Sequence, residues 1–402
     1  MMSIKKLGTI AIAASIMAAA AAAAGYWTFK PSLERETMNE LRIDIAERAS
    51  RQRQLFTDIS LMHEAAERSV LRRYTELGDT DVTEPFDLLF PLQPDGTRRS
   101  APELFDGHGM GNGDSVYGMG AFIANGDRLS ADDMRLLIAA YQTVRLHGEA
   151  AYGRFDNLYF YTSSNQLIIF GPQRDDRLEF YRMHAPSDFD FQGERIAQVV
   201  SPQNNPTGVV ACTDLSRLIY RQDGQALTTG CHMPVRQHGR HLGAFGTTIE
   251  MQNYLANAVL DHRDGSQNVI LTRDGAVIAN NDLILLDELS PAAVAEATAQ
   301  VGAEDIAQRI RDIGRAVGAY RDGDGRFVSY ASLDAPGWYF VTLSPASGPT
   351  AKALQISFAI AFFTFWAGAA QLLVLAVSSS VVKRATKRWF SSPKGAVKIL
   401  RV

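Results

Sequence analysis

The sequence predicts an α+β protein in which one long N-terminal helix precedes two antiparallel-sheet modules in series, with two transmembrane helices flanking the whole. Three observations carry this. Two apolar segments without a charged side chain, Leu7 to Phe29 and about Ala353 to Val377, bracket a middle of ordinary soluble composition. A helical stripe leaves the first of them. From Phe155 the period changes to strands, and along the chain a pattern of helix, hairpin, helix and strands occurs twice.

Each apolar segment is long enough to cross a hydrocarbon core of about 30 Å as a helix. Lys5 and Lys6 precede the first; Lys383, Arg384, Lys387, Arg388, Lys394, Lys398 and Arg401 follow the second, and no acid occurs after Asp334. Positive residues on both outer flanks predict two cytoplasmic termini and a periplasmic middle, the layout of a bacterial inner-membrane receptor. The lysines and the alanine-rich stretch up to Ala24 also describe a cleavable secretory signal. Tyr26, Trp27 and Phe29 read as an interfacial aromatic belt, and the chain continues straight into a helix, so the segment is expected to be retained. Either way the middle is exported.

The net charge of −4 over 402 residues argues against a nucleic-acid partner. The basic tail suits the anionic inner leaflet. Cys212 and Cys231, the only two cysteines, both lie in the exported part. In an oxidising compartment they could close a loop that stabilises by about 3 kcal/mol. Two buried thiols are the alternative, because sequence does not give the Cα separation. His232, His238 and His241 lie close together but lack a thiolate or carboxylate at ligand spacing, so no metal is expected. No serine sits on a recognisable nucleophile elbow. The chain reads as a non-enzyme without a cofactor.

Residues 1–30 are expected to form the first transmembrane helix or signal anchor, and 31–78 a stalk helix. After Pro31, apolar residues recur at Leu41, Ile45, Phe56, Ile59, Met62, Ala66, Val70 and Leu77, with Gly78 as the stop. One stripe of this length packs on its own domain and on a second copy, which predicts a homodimer. Residues 79–250 form a membrane-distal module with a helical insertion. There the run Gly107 to Asp114 reads as a flexible connector, and Ser130-Ala131-Asp132-Asp133 opens a helix from Met134 to His147. Leu158–Thr162 and Gln166–Phe170 flank a turn and predict a hairpin; His232–Arg236 and His241–Gly246 predict another across Gly239. Residues 251–347 form a membrane-proximal module. It starts with a helix from Met251 to Asp261 and a hairpin across Asp274-Gly275. A helix over Ala292–Val317 and three strands follow, ending on Trp338–Leu343. Residues 351–382 are the second transmembrane helix and 383–402 the basic tail.

Four stretches carry a family resemblance. One is the long helix leaving the membrane. Another is Tyr220-Arg221-Gln222-Asp223-Gly224 followed by Thr228-Thr229-Gly230-Cys231-His232-Met233-Pro234-Val235. The others are Gly239 to Ile249, and Gly337-Trp338-Tyr339-Phe340-Val341-Thr342-Leu343-Ser344-Pro345 just before the second span. Their order over residues 31–347 resembles the double Cache family of extracytoplasmic sensor domains, which are tandem PAS-like modules. The resemblance implies a small ligand in the distal module, against the inner face of its sheet. Amino-acid-binding members carry an Arg-aromatic-Trp signature before the third strand. Here that place holds Phe180-Tyr181-Arg182-Met183-His184, without tryptophan, which departs from an amino-acid site. Tyr161, Tyr181, Arg182, His184, Asp188 and Asp223 are the candidate ligand contacts. Arg182 could clamp a carboxylate, and Asp223 could accept from an ammonium. As solvated charges, or paired with each other, they would have no such role.

The expected function is a transmembrane receptor that binds a small molecule and passes a conformational signal to a cytoplasmic or membrane partner. The tail is too short for a kinase, cyclase or methyl-accepting domain. The chain would therefore be the input portion of a sensor histidine kinase or diguanylate cyclase, or act through a partner. An envelope protein-interaction module without a small ligand is the rival reading.

Overall fold

The computed structural model describes residues 4–109, 115–173, 176–213, 228–260, 265–285 and 291–391. In chain order the helices are α1 (Ile4–Leu77), α2 (Thr83–Leu89), α3 (Glu103–Asp106), α4 (Ala131–Ala151), α5 (Arg195–Gln198), α6 (Met251–Leu260), α7 (Pro291–Val301), α8 (Ala303–Ile313) and α9 (Ser347–Ser391). The strands are β1 (Arg98–Arg99), β2 (Gly107–Gly109), β3 (Ser115–Tyr117), β4 (Met119–Ile123), β5 (Leu158–Tyr161), β6 (Gln166–Phe170) and β7 (Ala211–Cys212). They continue as β8 (Thr228–Gln237), β9 (Arg240–Glu250), β10 (Gln267–Thr272), β11 (Val277–Asn280), β12 (Val317–Arg321), β13 (Phe327–Leu333) and β14 (Trp338–Ser344). The chain divides into two compact units, one of Met1–Ile43, Ala319–Val328 and Ser344–Val402, the other of Asp44–Gly318 and Ser329–Leu343.

In the first unit, α1 and α9 are long and apolar enough to cross a membrane. They run in opposite directions: Gly25 lies against Ile360 and Ser357, and Met17 against Gly368. Small residues let two backbones approach within a bilayer, where no hydrophobic force separates helix from lipid. Ala14, Ala18, Ala353 and Ser357 are buried. Phe358, Phe362, Phe363 and Trp366 stay exposed, as lipid-facing side chains would be. Where the sequence suggested a span ending at Phe29 and a fresh start after Pro31, α1 is one helix with Pro31 inside it. Helix-forming residues on both sides outweigh one missing amide donor, and Arg35 Nε donates to the Pro31 carbonyl at 3.2 Å. Gly78, at φ +48°, stops the helix.

The second unit holds the larger sheet and most of the smaller one. The larger has the order β1-β4-β6-β5-β9-β8-β7. Its hairpins fall where alternation placed them, with Tyr159 opposite Ile169 and His232 opposite Gly246. Directly opposed residues share a face. Gly120, Ile169, Tyr159, Gly246 and His232 thus form one row across four strands and β8. The adjacent row, Ala121, Ile168, Phe160, Phe245 and Met233, faces the other way. That second face is closed by Ala66 and Val70 of α1 and by Leu137, Ala140 and Val144 of α4. α4 starts at a capping box: Ser130 Oγ accepts from the Asp133 amide at 3.1 Å, and Asp133 Oδ2 accepts from the Ser130 amide at 3.0 Å, a device that stabilises by about 1 kcal/mol. Gly107–Gly109 and Ser115–Tyr117 pair as a small ladder; residues 110–114 of the glycine run lie outside the described residues.

The smaller sheet has the order β11-β10-β14-β13-β12. Ile45, Ala49, Phe56 and Ile59 of α1 join Leu255 and Val259 of α6 and Trp338 and Phe340 of β14 in its core. Phe56 meets Trp338 edge-on at 6.2 Å, a geometry favoured by the ring quadrupoles. The apolar stripe read from the sequence therefore serves both sheets in turn. The helix expected over Ala292–Val317 is two helices, because Gly302 adopts φ +69° and breaks the run between α7 and α8.

Candidate functional site

The remaining face of the seven-stranded sheet is covered by the segment 176–210, which returns across it between β6 and β7. Arg177 and Leu178 both take positive φ, +50° and +54°. For residues with a Cβ this costs about 1–3 kcal/mol each. The turn it makes buries Leu178 against Gly120, where an added Cβ would lie 3.1 Å from Leu178 Cδ1. One π-helical turn, Phe180–His184, follows, closed by the Ala185 amide on the Phe180 carbonyl at 2.6 Å. Arg99 holds this turn from beneath: Nη1 donates to the Tyr181 carbonyl at 2.9 Å and Nη2 to the Ala185 carbonyl at 2.5 Å. Its guanidinium lies 4.5 Å from the Phe122 ring centroid, a cation–π contact that offsets part of its desolvation.

Between cover and sheet lies an apolar cluster of Phe105, Tyr159, Tyr161, Leu167, Ile169, Leu178, Phe191 and Val200, with Tyr181, Phe189 and Ile196 packed on it. One polar pair interrupts it. His232 is fully buried, and its Nδ1 lies 3.2 Å from the Tyr161 hydroxyl. That hydroxyl donates to the Ile196 carbonyl at 2.6 Å, which ties α5 to the sheet. Burial, and then the nearby His63, push the His232 pKa down to about 3, so the ring is neutral. Burial also holds the Tyr161 hydroxyl well above its ordinary value. Two glycines let the rings lie flat on this face: a Cβ at Gly246 would meet Tyr159 Cε2 at 2.3 Å, and one at Gly230 would meet His232 Nε2 at 2.5 Å.

The expected contacts separate on inspection. Tyr161 sits at the centre of the cluster and Tyr181 at its edge. Arg182 stacks 4.3 Å from the Phe105 ring centroid and donates through Nη1 to the Arg177 carbonyl at 3.2 Å. Burial is the main cause lowering its pKa. His184 and Asp188 are exposed. Asp223, with the whole Tyr220–Gly224 stretch, lies outside the described residues. Lys394, Lys398 and Arg401 of the basic tail do so too. His232, Tyr159 and Arg99 were not among the expected contacts; alternation through β8 put His232 on the same face as Tyr159, and only the pairing register reveals it. His232 faces Gly246 while His241 faces Arg236, so their rings are not neighbours. Among the described residues no three His, Cys, Asp or Glu side chains gather as a metal site. Cys212 and Cys231 oppose each other on β7 and β8 and are joined sulfur to sulfur at 2.08 Å.

No family model and no curated protein matches the sequence. Solved structures do match. The periplasmic sensory domain of the Campylobacter jejuni chemoreceptor Tlp1 is 14% identical, over 79% of this chain and 98% of that one, with a TM-score of 0.43. The ligand-binding domain of the Pseudomonas fluorescens chemoreceptor CtaA, in complex with L-isoleucine, is 11% identical, over 80% and 98%, with a TM-score of 0.43. The sensory domain of C. jejuni Tlp3 is 9% identical, over 81% and 99%, with a TM-score of 0.40. The chain is similar to periplasmic sensory domains of bacterial chemoreceptors.

Proposed function

We propose that this protein is a membrane-anchored receptor whose exported double Cache region binds a small molecule on the covered face of the seven-stranded sheet and passes a displacement to its spans through α1. The carrying observation is the buried Tyr161–His232 pair under the 176–210 cover, a few polar atoms in an apolar enclosure, which is the composition of a small-ligand site. Two further contacts support α1 as the moving part. Arg48 Nη1 donates to Asn268 Oδ1 at 3.2 Å, and Arg53 donates through Nε and Nη2 to the Ser332 carbonyl at 3.0 and 2.8 Å. A shift of the smaller sheet thus pulls on the helix, and a ligand that prefers one arrangement of the cover biases the set. Both termini are cytoplasmic in this reading, the working form is a homodimer, and the output goes to a cytoplasmic or membrane signalling partner.

The test is a thermal-shift screen of the full chain in lipid nanodiscs against amines, amino acids, organic acids, purines and divalent metals. One chemical class raising Tm in a concentration-dependent way supports the reading. No shift from any class at millimolar concentration removes it, and a protein-binding module takes its place.

A further inference from the structure

Every hydrogen-bonding atom of the Tyr161–His232 pair has a defined role except one. A backbone carbonyl only accepts, so the Tyr161 hydroxyl proton must point at Ile196 O, 2.6 Å away. The hydroxyl oxygen then faces His232 Nδ1, at 3.2 Å, as an acceptor. Nδ1 therefore carries the single ring proton. This leaves Nε2 as a bare lone pair, and it is fully buried without a partner among the described residues. An unsatisfied buried acceptor is costly, which marks it as unfinished chemistry. Nε2 packs over Gly230, the one residue type that accommodates the ring there, since a Cβ would stand 2.5 Å from it. Thr248, directly opposite Gly230, is half-buried on the same face.

We infer that His232 Nε2 is the atom that reads the ligand, and that the ligand presents to it an N–H or O–H donor: an amine, an amide or an alcohol. A carboxylate cannot bind there, since two acceptors would face each other. This rests on the reading that the covered face is the ligand site, and it adds the donor class and the route by which the cover responds. A donor on Nε2 makes Nδ1–H a better donor to the Tyr161 oxygen. That in turn strengthens the hydroxyl's bond to Ile196, because linked hydrogen bonds polarise one another. The ligand and α5 are then joined through two side chains, and the cover tightens on the sheet when the donor arrives. Tyr161 acts as a positioning residue: it fixes the tautomer that makes Nε2 an acceptor.

The experiment is nitrogen NMR on the full chain in nanodiscs with 15N-labelled histidine, His232 being assigned by its contact with the Tyr161 ring, whose centroid is 5.7 Å away. The expected result for the free protein is a protonated Nδ1 and an unprotonated Nε2. Ethanolamine or acetamide should then shift the Nε2 resonance, and propionate should not. His232→Phe should weaken the donor probe at least tenfold, while Tyr161→Phe should let the proton move to Nε2 and weaken it likewise. A proton on Nε2 in the free wild-type protein overturns the inference without any variant. So does an Nε2 resonance that neither donor moves, or that propionate moves. A class found in the thermal-shift screen alongside an unresponsive Nε2 would overturn this inference alone and leave the receptor reading standing.

Discussion

Arg48 Nη1 donates to Asn268 Oδ1 across 3.2 Å in a fully enclosed junction, with the Arg48 guanidinium 5.2 Å from the Phe340 ring centroid. Asn268 is saturated around it: its Oδ1 also accepts from Thr342 Oγ1 at 2.7 Å, its Nδ2 donates to the Val259 carbonyl at 3.1 Å, and its amide donates to Asn281 at 3.0 Å. Here one helix side chain is locked to β10, β14 and the end of α6 at once. Arg48→Ala would remove a buried donor and leave the Ala258 carbonyl without it. Stability should fall by about 2–4 kcal/mol in a chemical denaturation series. Arg53→Ala, at a half-buried site with one accepting carbonyl, should lose only about 1 kcal/mol.

The two buried histidines predict an acid-sensitive fold. His63 and His232 are both pushed down to about 3 by burial, from an ordinary value of 6.5. Their native forms are neutral, while the unfolded chain protonates as pH falls below about 6.5. Between about 6.5 and 3 the unfolded state binds more protons, so stability declines as pH falls through that window and is unaffected above it. Each histidine contributes a slope of up to about 1.4 kcal/mol per pH unit. Denaturant midpoints measured from pH 7.5 to 5 should fall steadily, and His63→Gln should flatten the decline by about half.

Reduction should loosen the edge of the larger sheet. β7 is two residues long, and Cys212–Cys231 fastens it to β8. Loop-closure entropy for a link of this span is about 3 kcal/mol. Adding reductant should lower Tm by several degrees, and the Cys212→Ala/Cys231→Ala double variant should show the lower Tm with or without it.

Gly243 is predicted to be irreplaceable for a reason that differs from its neighbour. An added Cβ would stand 2.5 Å from both the Tyr161 carbonyl oxygen and Phe160 Cζ. The carbonyl is backbone within the sheet and cannot turn aside. Gly243→Ala should therefore cost about 1–3 kcal/mol. Gly246→Ala first meets the Tyr159 side chain, and should instead move that ring and weaken ligand binding more than stability, as read by titration beside thermal melts.

Much of this fold is legible in residue periodicity. Ile45, Phe56, Ile59, Ala66 and Val70 recur at helical spacing and are all buried along α1. The strands from Leu158 to Phe170 alternate between cover and helix, and a turn at Ser163–Asn165 fixes their register. The Ser130–Asp133 cap announces α4 from four residues. What sequence left unread is what arises between distant segments. The strained bend at Arg177 and Leu178 carries no glycine to signal it. The Arg99 grip on the Tyr181 and Ala185 carbonyls joins residues that nothing local relates. Gly302 splits a helix whose alanine-rich flanks read as continuous. The site shows the same division: Tyr161 follows from its strand, whereas His232 lines that face only because β8 pairs with β9 in one particular register. His184 and Asp188 sit on the outer side of the cover, where their polarity is met by water.

The most direct measurement is hydrogen–deuterium exchange on the full chain in nanodiscs, with and without the compound class that raises Tm most. A ligand on the covered face predicts slower exchange in peptides spanning 155–170, 190–200 and 228–250, with Tyr161→Phe abolishing the effect near 196. Unchanged exchange across those peptides, or protection confined to the open cleft of about 180 Å³ around Arg53, Phe56 and Asp334, would contradict it.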